Sequence, residues 1–231
     1  MVDTLHDAAL ESELSAVYRL YAALSRRLDP HAGLGGKLLY AGLLDQEGIR
    51  LVRAANVAGA ASLCATADSG IQKRAICDGI VDFLVTSLDE ALRILKNEIR
   101  KRRGVAVGIA LAPETVEPEM LARGVLPDLL FPGSRVDAWT DAGAEVVEMA
   151  AIPPGKKLLT VFLPSGPGLN TEIETLLLDS LPDEDWAGRR WLRLSPRYLD
   201  PRARRIRSLV CSLEAVSPLL KRIDRKLAGR R

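Results

Sequence analysis

The sequence predicts an α/β fold: a Rossmann-like, doubly wound, mainly parallel sheet with helices on both faces, plus an N-terminal helix and a C-terminal helical arm. Two observations predict it. Short apolar runs such as Ala60–Ala65 and Val105–Ala110 lack polar alternation, as strands buried on both faces do. Segments of helical period separate these runs, and that alternation gives right-handed βαβ units.

Leu10, Leu14, Val17, Tyr21, Leu24 and Leu28 recur at helical spacing, so residues 4–28 read as one amphipathic helix. Asp3 or Thr4 caps it and Asp29-Pro30 stops it. A Gly-rich loop, His31–Gly36, leads into a first strand at Lys37–Ala41. A helix over 46–58 follows, with Ile49, Val52 and Ala55 on one face, and then a second strand at Ala60–Ala65. Ile71–Ile76 is a short helix and Val81–Val85 a third strand. Ser87 caps the next helix, which runs to Arg102, with Glu90 completing a capping box. Val105–Ala110 is the fourth strand, Val116–Ala122 a helix and Asp128–Phe131 the fifth strand. Ala142–Ala151 fits helix or strand. Lys157–Leu163 reads as a further strand and Glu172–Leu181 as a helix. Pro201–Leu227 reads as a helical arm, kinked or restarted at Pro218.

At 48% hydrophobic and 27% charged residues over 231 positions, the chain has enough apolar surface to fold, which excludes intrinsic disorder. No apolar run is long enough to span a membrane. The acidic N-terminus lacks the apolar core of a signal peptide. Three dispersed cysteines, Cys64, Cys77 and Cys211, fit free thiols in a cytoplasmic setting, and with two histidines they offer no metal-ligand spacing. The charge is uneven: residues 186–231 carry 14 basic residues against three acidic ones. The first expectation is a basic arm lying on an acidic fold; nucleic acid or an anionic membrane surface are the alternatives. Thin aromatic interleaving argues against a base-stacking platform.

Ligands of doubly wound folds bind at the carboxyl ends of strands, near helix N-termini. The first such loop, Ala41–Gly48, lacks a G-x-G-x-x-G run and places Asp45 and Glu47 where a pyrophosphate needs bare N–H groups. Ala67–Gly70, with Ser69 and Gly70, is a turn that suits a small anion or sugar. Ser165, Gly166, Asn170 and Thr171 stand between a strand and a helix, and fit an anion site or a plain cap. No nucleophile and base can be paired.

Residues 36–131 resemble the central Rossmann-like domain of urocanase. The matching features are Gly36-Lys-Leu-Leu with Ala41-Gly42-Leu43, Asp82 with Ser87–Leu92, and above all Pro118-Glu-Met-Leu-Ala-Arg-Gly-Val-Leu-Pro-Asp128. The resemblance implies the Rossmann-like fold. It also implies NAD as cofactor, used as an electrophile in adding water to urocanate. The family contacts implied here are Gly42, Leu43 and Gly48 alone. Where the family carries a Gly-Gly-Met-Gly-Gly run, this chain reads Leu44-Asp45-Gln46-Glu47-Gly48. Thr66 stands for the family's ribose-binding glutamate, and Ala112-Pro113 for its Asn-Ala pair. Gly133–Ala138 stands for its Gln-Thr-Ser-Ala-His-Asp signature. The resemblance reaches the central domain only, and the family's second domain, with its active-site cysteine, is expected to be absent.

The expected division is an N-terminal helix and linker over 1–35, a urocanase-like domain over 36–182 and a basic helical arm over 183–231. The expected role is a urocanase-like protein lacking hydratase activity that binds a nucleotide or small anionic metabolite. One alternative is an interaction protein forming a homodimer through its terminal helices. The other is a hydratase-type lyase with a relocated site around Ser165–Thr171.

Overall fold

The computed structural model describes residues 8–27, 29–130, 137–163 and 169–228. The chain divides into two compact units, residues 17–150 and residues 151–231 with 1–16. Helix α1 (Ala8–Ser25) contributes to both.

The first unit is the expected parallel sheet. Its strands are β1 (Leu38–Leu43), β2 (Ala61–Ala65), β3 (Phe83–Val85), β4 (Val105–Ile109), β5 (Leu129–Leu130) and β6 (Glu145–Val146). They lie in the order β3-β4-β2-β1-β5-β6, with every neighbouring pair parallel. The crossovers are α2 (Gln46–Ala58), α3 (Ser69–Cys77), α4 (Leu88–Arg100), α5 (Pro113–Ala122) and α6 (Asp137–Asp141). The period of two along each strand sorts side chains between two layers. Leu63 and Val107 pack with Leu92, Leu95, Met120 and Trp139 from α4, α5 and α6. Their neighbours Cys64 and Ala106 pack with Val52 of α2 and Ala75 of α3. Burial on both sides is why β2 and β4 read as unbroken apolar runs. Helix α5 starts earlier than its apolar period suggests, because Pro113 suits the first helical position.

The second unit contains β7 (Lys156–Phe162), α7 (Leu169–Asp179), α8 (Trp186–Tyr198), a 3-10 turn (Pro201–Arg205), β8 (Ile206–Ser212) and α9 (Leu213–Ala228). Strands β7 and β8 pair antiparallel, with Leu159 opposite Leu209. Trp191 of α8 is fully buried and donates Nε1–H to Ser208 Oγ at 3.0 Å. Leu209, the next residue along β8, packs instead with Leu219 and Ile223 of α9. Trp191 of α8 thus meets β8 at Ser208, while Leu192 of α8 joins α9 in the cluster around Leu209.

Two expectations are corrected here. The terminal helix is present as α9, but residues 206–212, expected in the same helical arm, form β8. Ile206, Leu209, Val210 and Leu213 fit a helical period, yet the segment pairs with β7 along its whole length and takes the strand form. The strand expected at Lys157–Leu163 is real, but it belongs to this antiparallel pair and not to the parallel sheet. Helix α8 escaped the sequence reading because Gly188 and Pro196 interrupt its window.

No helix among the described residues is long and apolar enough to cross a membrane. No group of metal-ligating side chains forms among them.

Candidate functional site

The carboxyl edge of the parallel sheet gathers the turns after β1, β2, β3 and β4 and the starts of α2 to α5. Crossovers leave β1 toward β2 and β5 toward β6, so the topological switch falls between β1 and β5. Residues 131–136, which follow β5, lie outside the described residues, and with them most of the stretch Gly133–Ala138.

The turn after β1 brings Gly42, Leu43 and Gly48 together. Pairing with β2 slips between Tyr40 and Gly42, and Gly42 takes a left-handed φ of 68°. Leu43 is half exposed. At Gly48 a β-carbon would stand 2.0 Å from the Leu43 carbonyl oxygen, so only glycine lets the chain turn from β1 into α2 this tightly. The Gly48 N–H donates to Asp45 Oδ1 at 2.9 Å. Asp45 is therefore the N-cap of α2, and its carboxylate accepts from an N–H at the helix start.

The next turns follow the same logic. Asp68 Oδ1 accepts from the N–H groups of Gly70 (2.7 Å) and Ile71 (2.9 Å), so Ser69 and Gly70 serve as the first turn of α3. Thr66 is buried; its hydroxyl accepts from the Asp68 N–H, and its carbonyl accepts from Gln72. At α4, Ser87 Oγ accepts from the Glu90 N–H, and Glu90 reaches back to the Thr86 N–H. Only α5 among these four has no side-chain cap: Ala112 occupies the cap position and Pro113 follows. Ala110, Leu111 and Ala112 are partly exposed before it.

Charge at this edge is acidic. Asp45, Glu47, Asp68, Glu90 and Glu114 stand at the starts of α2 to α5, and Arg50 is paired with Glu47. Acids in a first helical turn offset the helix dipole and repel phosphate. Among the described residues, a side-chain carboxylate accepts from N–H groups at the starts of α2 and α3.

Beneath the edge, on the α5 side, Tyr40 is fully buried and donates its hydroxyl to Glu117 Oε1 at 3.0 Å. Burial, reinforced by the Glu117 charge, pushes its phenol well above the usual range. Trp139 meets its ring edge-on, with centroids 5.0 Å apart. This cluster holds α5 and α6 against β1.

Ser165 and Gly166 lie outside the described residues. Asn170 and Thr171 sit in the first turn of α7, in the other unit. The Thr171 carbonyl accepts from Thr175, and Asn170 Oδ1 is buried without a hydrogen-bond partner among the described residues.

One cavity has no signal in the sequence. At the amino edge of the sheet, a cleft of about 300 Å³ is lined by Arg27, Leu34, Lys37, Asp128 and Glu145. Arg27 pairs there with Glu145, and Lys37 with Asp128 at 2.9 Å. Its residues converge from distant positions, so no local spacing marks it.

Strands β1 to β5, the strand-to-helix turns between them and the tie between Asp128 and β1 all fall within one stretch of the chain. Residues 18–132 match the family model of the urocanase Rossmann-like domain, so over that stretch the chain is urocanase-like.

Proposed function

We propose that this chain is a urocanase-like Rossmann-domain protein that neither holds NAD in the family manner nor hydrates urocanate. The observation that carries this reading is the Asp45 carboxylate on the Gly48 N–H at the start of α2. Gly42 and Gly48, which match the family loop, are both required by the backbone itself, one by its φ and the other by the Leu43 carbonyl. Their retention is explained without a cofactor.

The expected nucleotide or small anionic ligand rests on a narrower base. Among the described residues, the start of α5 behind Ala110–Ala112 is the one of α2 to α5 without a side-chain cap, although Pro113 there has no N–H and Glu114 adds a carboxylate to the first turn.

Thermal unfolding of the full chain with NAD⁺, NADH, single nucleotides and inorganic phosphate, together with the ultraviolet absorbance of urocanate incubated with it, tests both. A ligand at 100 times its Kd stabilises by about 2.7 kcal/mol, a shift of several degrees for a chain of this size. No shift with NAD⁺ or NADH and no loss of urocanate is expected. Stabilisation by NAD⁺, or consumption of urocanate, overturns the first reading; a flat response to nucleotides and phosphate overturns the second.

A further inference from the structure

The basic residues of the second unit are not equally occupied. Arg189 pairs with Asp183 at 2.7 Å, Arg202 with Asp200 at 2.9 Å and Arg207 with Glu174 at 3.0 Å. Arg205 donates to the Leu163 carbonyl and lies over the Phe162 ring. These arginines are used up inside the unit. Arg193, Arg197 and Arg204 are exposed, and among the described residues no carboxylate pairs with them.

Their placement is ordered. Arg193 and Arg197 are four apart on α8, so they share one face about 6 Å apart along the axis. The opposite face, with Trp191, Leu192, Ser195 and Pro196, is buried. The helix contains four arginines and no acidic residue. Arg204 follows in the 3-10 turn.

We propose that the solvent face of α8, continued by Arg204, docks on the phosphate backbone of duplex nucleic acid. Three features select this partner. Exposed arginines with no carboxylate paired to them among the described residues, two of them on one face of a helix that has no acidic residue, favour a polyanion. Every basic residue from 186 to 207 is arginine, whose planar fork matches phosphate oxygens in a way lysine does not. The large apolar side chains Trp191 and Leu192 are buried, so they offer no wedge for a bilayer; the rings at the two ends of α8, Trp186 and Tyr198, are partly exposed, with Arg197 lying over Tyr198. Contacts of this kind read backbone and not sequence.

The test is fluorescence anisotropy of a labelled random-sequence DNA duplex titrated with the full chain over a range of NaCl. Affinity is expected to fall linearly with salt on logarithmic axes. The triple variant R193E/R197E/R204E is expected to weaken binding at least tenfold at low salt. The milder R193Q/R197Q variant is expected to lower the salt slope by about 2, since each phosphate neutralised contributes about 0.9. Circular dichroism of both variants checks that they fold, and the milder one keeps the test decisive if the charge reversals do not. K221E/R222E/R225E on α9 reverses as many charges and is expected to keep most of the affinity. Absence of duplex binding at low salt overturns the proposal. So does an equal loss in the α9 variant, which would make net charge the only cause. Retention on phosphatidylserine vesicles without duplex binding overturns it in favour of a lipid surface.

Discussion

A β-carbon on Gly48 would lie 2.0 Å from the carbonyl oxygen of Leu43. Atoms do not tolerate that distance, and the obstacle is backbone, so the strand-to-helix turn itself would have to open. Gly48→Ala is expected to cost about 3 kcal/mol, toward the upper end for single substitutions. Gly42→Ala is a different case. Its β-carbon would meet nothing within 4 Å, leaving only the left-handed φ as a penalty of about 1 kcal/mol. Urea unfolding of the two variants separates steric closure from backbone strain. Equal losses would show that the close approach is not what fixes Gly48.

Asp45 gives the companion prediction. Its side chain caps α2 through the Gly48 N–H, so Asp45→Ala is expected to lower stability by about 1 kcal/mol. Asp45→Asn keeps the cap oxygen while removing the charge, and should recover most of that loss. Chemical denaturation of both variants reads this directly. A full loss in the asparagine variant would mean that charge at the helix start, and not the hydrogen bond, holds the turn.

The parallel sheet was legible because its strands are buried on both faces, so Ala61–Ala65 and Val105–Ile109 show as apolar runs with nothing to confuse them. The motif ending at Asp128 was legible for a structural reason. Asp128 accepts from the Leu38 N–H at 2.8 Å and from Lys37 at 2.9 Å, tying β5 to β1, while Arg123 pairs with Glu119 and Asp89. Strand order was not legible: β4 inserts between β3 and β2, a choice made by tertiary packing with no local signature. Residues 206–212 fit a helix as well as a strand in the sequence because one set of apolar positions satisfies both periods over so short a span. At the site, the acids of the first loop were visible in the sequence. That Asp45 turns back onto its own helix was visible only in three dimensions.

The three thiols should react in a fixed order. Cys64 is fully buried between the sheet and α2–α3, and burial pushes its thiol up to about 12. Burial thus keeps the thiol neutral and away from solvent in the folded chain. Cys211 is partly buried and its thiol is also raised by burial, whereas Cys77 ends α3 in solvent. An aryl disulfide reagent on the native chain is expected to give one fast equivalent, abolished by Cys77→Ser. A slower reaction at Cys211 follows, and Cys64 reacts only after unfolding. Prompt reaction of Cys64 in the native chain would contradict the packing of β2 against α2 and α3.

Arg27 and Glu145 make a pH-dependent contribution whose sign is fixed. The hydrogen bond from Arg27, with its charge, holds the Glu145 carboxyl below the usual carboxylate range in the folded chain. A carboxyl depressed on folding stabilises the native state above its unfolded value, and that stability disappears as pH falls through the folded value. Glu145 is 55% exposed and Arg27 28%, so water screens the pair and its worth stays below about 1 kcal/mol. Glu145→Gln is therefore expected to be slightly less stable than the parent at about pH 7. The gap should close on the acid side of the carboxylate range, where the parent's own carboxylate is protonated. Urea midpoints of the two proteins across that range measure the gap. If it widened on acidification, the neutral form of Glu145 would be the one the fold prefers, and the ion pair at the amino-edge cleft would not be stabilising.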